Sequence, residues 1–337
     1  MSEVESATPS TEILETLDWA GMEYMVVKTA LELDVFTTIA AGHHSLEDVA
    51  RTTRCSERGM RALLDALCPI GLLAKLDNDY HLTPSSEAFL VRGVATYCAD
   101  AYLTWWQSRE RLTECVRTGQ ANLDLSSRDR GGFWSMLVAE SLITWPQAVD
   151  PAREMWQTLG VDVTARPGPR LLDVACGSGV KGFVLAQADP TARVTALDFP
   201  QVLEVSTQVA QAMGVSRQVT FCPGDMLTAE LGAEQFDIVL LSYILYYFNP
   251  QQVREILLKA YHALRAGGLL VVRAVIADDG RCEARMALVA ALELLHDAPN
   301  GQIYTFAEYR RFLEQAGLGD VTVVNESLIK ATKEDAK

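Results

Sequence analysis

Three acidic residues, Asp173, Asp198 and Asp225, each stand at the end of a predicted β-strand, and a glycine-rich loop follows the first. The loop, residues 177–182, reads GSGVKG and matches the G-x-G-x-x-G pattern of dinucleotide-binding folds. The carboxyl ends of parallel strands lie at one edge of a sheet, where such folds bind their ligands. These residues therefore predict a nucleotide-like ligand, although loop glycines also serve simply as turn formers.

The charges at these strand ends distinguish two cofactor types. Asp173 suits an ammonium group and opposes a pyrophosphate, which favours S-adenosylmethionine over a nicotinamide dinucleotide. Asp198 lies 19 residues after Gly179 and is placed to accept hydrogen bonds from ribose hydroxyls. Asp225 and Met226 end the third strand with an acid and an apolar neighbour, which together suit an adenine. Ordinary strand-end polar groups are the alternative for each of them.

A second group of chemically useful residues lies in LLSYILYYFNP, residues 240–250. This stretch leads from a predicted buried strand into an aromatic corner that contains Tyr243, Tyr246 and Tyr247. A free tyrosine has a pKa near 10, so it is a poor base at neutral pH but a good hydrogen-bond donor. The corner therefore predicts a site that orients a ligand.

Two further charged or titratable residues are candidates for this site. Arg273 lies in a predicted central strand, where a charge is rare unless it is paired. It predicts a ligand anion, and an ion pair with Asp237 or Asp278 is the structural alternative. His296, near the end of a predicted helix, is a candidate proton acceptor because histidine titrates near pH 6.5. A surface or helix-end histidine is its alternative.

The elements that must position these residues alternate between strand and helix from Arg170 onward. This rhythm predicts a parallel, doubly wound α/β sheet. The last β-rich runs, in DVTVVNESLIKAT, are broken at Asn325-Glu326 and predict a terminal hairpin or antiparallel edge strand.

The N-terminal region predicts a different architecture. Residues 13–41 have helical periodicity, Ser45 and Ser56 suit helix N-caps, and LLAKLDNDYHLT predicts a two-stranded wing with an Asn-Asp turn. Three helices and a wing form a winged-helix module. Such modules often bind DNA, but the mixed charge of the wing favours a dimerisation or lid role.

Residues 94–160 are predicted to be helical and are unusually aromatic. Helix packing explains most of these rings, but an apolar ligand site beside a cofactor domain also needs such walls. Trp105, Trp106 and Trp134 are the candidate pocket residues, with Tyr243 and Tyr247. The stretch TARPGP, residues 164–169, then predicts a domain boundary.

Composition limits the partners of the chain. The 337 residues carry 29 basic and 44 acidic side chains, for a formal charge of −15, which disfavours nucleic acids and anionic membranes. The seven cysteines show no CxxC or zinc spacing, which favours reduced thiols and no metal site. The acidic, polar start lacks the features of a signal peptide, so we expect a cytoplasmic protein.

Taken together, these motifs identify a family resemblance. The chain resembles the class I S-adenosylmethionine-dependent methyltransferases of the hydroxyindole/caffeate O-methyltransferase type. The resemblance covers residues 13–333 and rests on LLDVACGSG, ALDFPQVLE, FCPGDM, LRAGGLLVV and YTFAEYRRFLEQAGL. It implies a homodimer with a winged-helix dimerisation domain before a Rossmann-like domain. One departure is Ala175, where the family usually has a glycine, but alanine is small enough for cofactor binding to survive.

The resemblance also implies a cofactor site and a domain division. The methionine part, ribose and adenine of S-adenosylmethionine are expected at Asp173, Gly177, Gly179, Asp198, Phe199, Asp225, Met226 and Ser242. The predicted division is a disordered tail (1–12), a winged-helix dimerisation domain (13–95), linker and pocket helices (96–165) and the methyltransferase domain (166–337).

The catalytic part of the family pattern is altered in this sequence. By the resemblance, the family's histidine base falls at Tyr246, and its two supporting acids fall at Arg273 (or Ala274) and near Ile303. The bacteriochlorophyllide C-methyltransferase branch, which the ILY stretch resembles, also has tyrosine there. General-base help is worth roughly 10²–10⁴ in rate, so an acidic or electron-rich acceptor can still react without it.

These observations predict methyl transfer to a hydrophobic, cyclic or aromatic small molecule in secondary metabolism, on oxygen or on carbon. Tyr246, Arg273 and His296 are the candidate catalytic residues. Two alternatives stay open, namely a family member that retains the cofactor but catalyses a rearrangement, and a winged-helix regulator that senses a ligand.

Overall fold

The chain divides into two compact units, Met1–Leu103 and Thr104–Lys337. The computed structural model describes residues 10–126, 130–161 and 168–334. The predicted boundary at 164–169 and the predicted tail at 1–12 lie mostly outside these residues. The division between the units falls inside the first of the predicted pocket helices, and the finer division at residues 95 and 165 stays a prediction.

Among the described residues, the first unit consists of four helices, a short β-hairpin and a fifth helix. They are α1 (Glu12–Glu32), α2 (Val35–Ala40), α3 (Leu46–Thr52), α4 (Glu57–Leu67), β1 (Leu73–Leu76), β2 (Asp79–Leu82) and α5 (Pro84–Phe89). Helix α6 (Ala99–Arg109) contains the division between the units.

The second unit continues with helices and then alternates between strand and helix. Its helices are α7 (Leu112–Thr118), α8 (Gly131–Val138), α9 (Ser141–Thr158), α10 (Val180–Ala188), α11 (Pro200–Ala212), α12 (Pro250–Ala263), α13 (Arg285–Asp297) and α14 (Phe306–Gln315). Its strands are β3 (Arg170–Val174), β4 (Arg193–Asp198), β5 (Val219–Pro223), β6 (Phe236–Ser242), β7 (Leu264–Arg273), β8 (Gly319–Asn325) and β9 (Leu328–Thr332).

Helix boundaries in the first unit follow local backbone chemistry. The predicted caps are confirmed, since Ser45 accepts a hydrogen bond from the Asp48 N–H and Ser56 accepts one from the Gly59 N–H. The single helix predicted over 13–41 is wrong, because Asp34 adopts a left-handed conformation (φ 54°) that separates α1 from α2.

The wing is confirmed as an antiparallel hairpin, with a correction to its turn. Leu76 pairs with Asp79, so the two turn residues are Asp77 and Asn78 rather than an Asn-Asp pair. Both have positive φ, 49° and 80°, as a two-residue hairpin of this kind requires.

The second unit is built on a seven-stranded sheet in the order β5-β4-β3-β6-β7-β9-β8. The strands from β5 to β7 are parallel, and β9 and β8 join antiparallel at the edge. The predicted doubly wound sheet with a terminal hairpin is therefore confirmed.

Alternating side chains of the strands form a core on each face of the sheet. Leu241 and Val239 pack with α12 and α14, whereas Leu240 and Ile238 pack with α9, α10 and α11. Because both faces are covered, the middle of β6 (residues 238–241) and of β7 (residues 269–272) is apolar, and the charged residues of these two strands lie towards their ends. Within the part of the chain that is described, no helix is long and apolar enough to span a bilayer.

Candidate active site

The loop after β3 leads to the start of α10, and its glycines leave the backbone there uncovered by side chains. Ala175, Gly177 and Gly179 all have positive φ, at 56°, 57° and 79°. A Cβ atom at Gly179 would lie 2.2 Å from the Phe183 ring, so this position has no room for a side chain. Ala175 adopts a left-handed conformation that a glycine would adopt more easily, which accounts for the glycine that the family usually has at this position.

Asp173 is a buried carboxylate with an unused oxygen. It is 2% exposed, and its Oδ2 atom has no hydrogen-bond partner among the described residues. Burial raises the pKa of Asp173 to about 7, opposed by the Lys181 charge and assisted by the Asp198 charge. A buried carboxylate without a bonded cation is suited to a cationic ligand group, such as an ammonium.

Asp198 holds the glycine loop and also faces a cavity. Its Oδ2 accepts a hydrogen bond from the Gly177 N–H at 2.8 Å, and its Oδ1 accepts one from the Phe199 N–H at 2.7 Å. Burial raises the pKa of Asp198 to about 6, against the effect of these two hydrogen bonds. Each oxygen keeps a further lone pair, so the carboxylate can also accept hydrogen bonds from a ligand's hydroxyl groups.

Asp225 lies at the end of the next strand along the same sheet edge. Its Oδ1 accepts a hydrogen bond from the Leu227 N–H at 2.9 Å, which orients the side chain, and Met226 beside it is buried. The three carboxylates and the bare loop form a donor and acceptor set that fits an amino-acid ammonium, ribose hydroxyls and an adenine.

A cavity of about 200 Å³ lies along this edge. Its described lining includes nine of the predicted residues, namely Trp134, Gly177, Asp198, Phe199, Asp225, Met226, Ser242, Tyr243 and Tyr247. It does not include the other seven, namely Trp105, Trp106, Asp173, Gly179, Tyr246, Arg273 and His296. Leu125, Leu137 and Val138 also line it, and their apolar side chains carried no signal that distinguished them from ordinary helix packing.

Aromatic rings form one wall of the cavity in a continuous series. The Trp134 ring meets Phe133 at 5.3 Å and Tyr247 at 5.4 Å between centroids, both edge to face. Trp105 lies behind Phe133 at 5.4 Å, and Tyr246 lies 5.1 Å from Tyr247. Trp105 and Tyr246 therefore support the wall from behind.

The two tyrosines of the corner are buried in different ways. Both pack against the cluster that contains Ala277, Leu294 and Ile303, but only Tyr247 also lines the cavity. Burial, with smaller contributions from Tyr243 and Glu293, raises the pKa of Tyr246 well above its ordinary value. Burial raises the pKa of Tyr247 in the same way. At neutral pH both are therefore hydrogen-bond donors rather than bases.

His296, in the last turn of α13, is buried and only 1% exposed. Its Nδ1 lies 2.8 Å from Ser108 Oγ and 2.6 Å from Asp297 Oδ1, and its Nε2 has no partner among the described residues. The backbone carbonyl of His296 accepts from the N–H groups of Asn122 and Leu123. The backbone of His296 therefore holds the segment that leads to the cavity wall. Of its predicted alternative, the surface position is wrong, whereas the helix-end position is correct because His296 lies in the last turn of α13.

Arg273 lies beside the aromatic corner and has no carboxylate partner within residues 10–126, 130–161 and 168–334. The register pairs Arg273 with Ser242, and its guanidinium Cζ lies 5.1 Å from the centroid of the Tyr243 ring. Asp237 lies at the opposite end of β6 and pairs with Arg265, and Asp278 accepts backbone hydrogen bonds. The predicted alternative of an ion pair with either aspartate is therefore wrong.

No group of three or more His, Cys, Asp or Glu side chains in the described ranges is arranged to hold a metal ion.

Two family models match the chain. The model of the O-methyltransferase dimerisation domain matches residues 20–92, and the model of the O-methyltransferase domain matches residues 161–319.

Curated relatives include enzymes that methylate oxygen and one that methylates carbon. The chain is 28% identical to the tetracenomycin polyketide synthesis 8-O-methyl transferase TcmO of Streptomyces glaucescens, over 87% of each chain. It is 31% identical to the L-tyrosine C(3)-methyltransferase of Streptomyces lavendulae, over 45% of this chain and 42% of that one.

Solved structures share the fold along nearly the whole chain. A candidate O-methyltransferase from Nostoc punctiforme is 30% identical, with a TM-score of 0.72, over 97% of this chain and 100% of that one. Human N-acetylserotonin methyltransferase, solved with S-adenosylmethionine, is 21% identical with a TM-score of 0.73, over 99% and 100%. With both domain models matched and this cofactor chemistry present, the chain belongs to the S-adenosylmethionine-dependent O-methyltransferase family.

Proposed function

We propose that the chain transfers the methyl group of S-adenosylmethionine to a hydroxyl group of a hydrophobic aromatic small molecule in secondary metabolism. The observation that carries this proposal is a single cavity with two kinds of wall. Asp198 and Asp225 lie on one side, and the rings of Trp134, Tyr243 and Tyr247 lie on the other. A flat apolar acceptor fits the second wall, and a nucleoside fits the first.

The cofactor assignment follows the polar atoms of the first wall and the unpartnered Oδ2 of Asp173, which is buried outside the cavity lining. Asp173 Oδ2 would bind the ammonium group, the backbone around Gly177 the rest of the methionine part, and Asp198 the ribose. Asp225 and Met226 would meet the adenine. When bound, the cofactor supplies a methyl group on a sulfonium, an electrophile that needs no metal.

The acceptor side works without a base of its own, since its described lining residues include the rings of Trp134, Tyr243 and Tyr247 but no histidine or carboxylate. The O–C bond forms as the C–S bond breaks, the electron pair stays on sulfur, and the acceptor proton goes to water. Tyr247 donates a hydrogen bond towards the acceptor, and Tyr246, at the position of the family's histidine, holds that ring from behind. Holding acceptor and methyl donor in line supplies about 7–11 kcal/mol, more than a base does.

Carbon methylation is the second candidate, favoured by the similarity to the L-tyrosine C(3)-methyltransferase and by the absent histidine. Radiolabelled cofactor offered with 1-naphthol separates the two by the labelled product. Label in the neutral ether 1-methoxynaphthalene supports oxygen transfer, and label in a methylnaphthol that keeps its ionisable hydroxyl supports carbon transfer. Consumption of an acceptor in a metabolite extract without incorporation of label would instead favour the rearrangement.

We also propose a homodimer formed through the first unit. Helix α1 carries large apolar side chains that are exposed to water in a single chain and that a partner chain would cover. They are Ile13, Leu14, Leu17, Trp19 and Met22. Light scattering should find a dimer at micromolar concentration, and Leu17→Glu with Trp19→Glu should yield monomers. The control Leu258→Glu changes an exposed leucine of the second unit and should leave the dimer intact.

A further inference from the structure

Two cations approach one tyrosine ring at the mouth of the cavity. Arg273 Cζ lies 5.1 Å from the centroid of the Tyr243 ring, and Lys181 Nζ lies 5.8 Å from it. Neither cation forms an ion pair with any carboxylate in the described part of the chain. Two positive charges therefore converge on a residue that lines the cavity.

The surroundings of Lys181 show that these charges interact. Lys181 lies in the first turn of α10, close to Asp173. Burial lowers the pKa of Lys181, the Asp173 charge raises it, and the Arg273 charge lowers it again. The proposed function assigns Asp173 to the ammonium group of the cofactor, so the two cations keep no counter-charge of their own. Such an arrangement is costly away from water unless an anion completes it.

Tyr243 is held in a conformation that places its ring against both cations. Its φ is +57°, an uncommon value for a bulky residue, and its N–H donates to the Arg273 carbonyl at 2.7 Å. The side chain is 36% exposed, so it lies at the edge of the cavity rather than within its floor. An acceptor stacked on this ring would have its polar edge near both cations.

We propose that Arg273 and Lys181 select the acceptor as an anion, a phenolate whose negative oxygen is attracted to the Tyr243 corner. This inference rests on the proposed function. The phenol loses its proton to water, the phenolate oxygen bonds to the methyl carbon, and the C–S electron pair stays on sulfur. The methyl ether that forms is neutral, so the ionic attraction ends when the reaction does. Charge selection thus replaces the missing base.

The test uses 4-nitrophenol, which absorbs visible light as its phenolate, and its neutral methyl ether, 4-nitroanisole. With the full-length protein saturated with S-adenosylhomocysteine, the phenolate should bind at least about tenfold more tightly than the ether. Bound 4-nitrophenol should titrate about one pH unit or more below the free compound. Arg273→Gln and Lys181→Gln should each reduce both effects, and Arg273→Lys should retain most of them.

The matched control is Arg310→Gln, which removes an exposed arginine stacked on Phe306 at 5.2 Å, away from the cavity. It should leave binding and titration unchanged. Unaltered affinity for S-adenosylhomocysteine shows that each variant keeps a folded cavity.

Three results would overturn the proposal. One is equal binding of 4-nitrophenolate and 4-nitroanisole, or no binding of the phenolate. Another is a titration shift that survives in Arg273→Gln and Lys181→Gln. The third is a tenfold loss of S-adenosylhomocysteine affinity in these variants, which would assign the cations to the cofactor's own carboxylate. Phenolate selection without methyl transfer to any acceptor would refute the proposed function and leave this site standing.

Discussion

The two halves of the cavity edge use opposite chemistry. Asp173, Asp198 and Asp225 lie at or just after the ends of β3, β4 and β5, and their carboxylates are buried or oriented by backbone N–H groups. Strand β6 is followed instead by Tyr243, and β7 ends in Arg273, with no carboxylate paired to the arginine among the described residues. The first half is an acidic surface for a cationic cofactor, and the second is an aromatic and cationic surface for the acceptor.

The difference shows how burial acts on different groups. Burial raises the pKa of Asp173 and Asp198 to about 7 and about 6, which brings both towards neutral pH. The same effect raises the pKa of Tyr246 and Tyr247 further from neutrality. The cofactor half should therefore respond to pH between 5 and 8, and the tyrosines should not.

The largest expected effect concerns the acceptor half. Tyr247→Phe should lower turnover by roughly 10–10³, as expected when the one phenol that donates towards the acceptor is lost, while cofactor affinity stays intact. The pH profile of turnover should not shift, because the phenol is not a base. Steady-state kinetics of both proteins, with Tyr261→Phe as a control outside the cavity lining, would measure this. A pH dependence that disappears in Tyr247→Phe would make the tyrosine the base and end the contrast.

The next effect concerns the cofactor half. Asp198→Ala should weaken S-adenosylmethionine binding by about 10–10²-fold, or roughly 1–3 kcal/mol, because ribose and backbone donors lose their acceptor. Calorimetry would measure it. Asp189→Ala is the matched control, since Asp189 also accepts backbone N–H groups but does not line the cavity. Equal affinity of Asp198→Ala and the unaltered protein would remove Asp198 from the ribose site.

A third prediction tests the pH response of the same half. In the free protein Asp173 is mostly protonated below pH 7, so an ammonium-bearing ligand must displace that proton. Affinity for S-adenosylhomocysteine should thus fall about tenfold from pH 8 to pH 6, and binding at pH 6.5 should release a proton into the buffer. Asp173→Asn should bind more weakly with a flat pH dependence. The contrast between the halves fails if the unaltered protein is equally flat.

The smallest effect separates a base from a residue that positions the wall. His296→Asn should raise KM for the acceptor a few-fold. The variant loses the ring contacts with Ser108 and Asp297, which position the His296 backbone that binds the segment before Leu125. The dependence of turnover on pH between 6 and 7.5 should stay the same. If that dependence flattens, His296 is the proton acceptor, and the acceptor half responds to pH after all.

The sequence by itself determined the features that depend on neighbours along the chain. The positive φ values of the glycine loop, the strand-end positions of Asp198 and Asp225 and the two-faced burial of β6 follow from local spacing and apolar runs. These features were enough to predict the sheet and the cofactor. The break at Asp34 and the turn at Asp77-Asn78 were not predicted, because none of these three residues is a glycine, the residue type that most strongly indicates a positive φ.

Only the tertiary structure decided which residues face the acceptor. Leu125, Trp134 and Val138 line the same cavity as Asp225, although about 90 residues separate them in the chain. His296 is buried rather than exposed because Ser108, 188 positions away in the chain, packs against it. Arg273 met Tyr243 rather than an aspartate because the β6–β7 register sets Ser242 opposite Arg273. Contacts between distant segments form only once the whole sheet and its helices are packed. The spacing of residues along the chain therefore does not predict them.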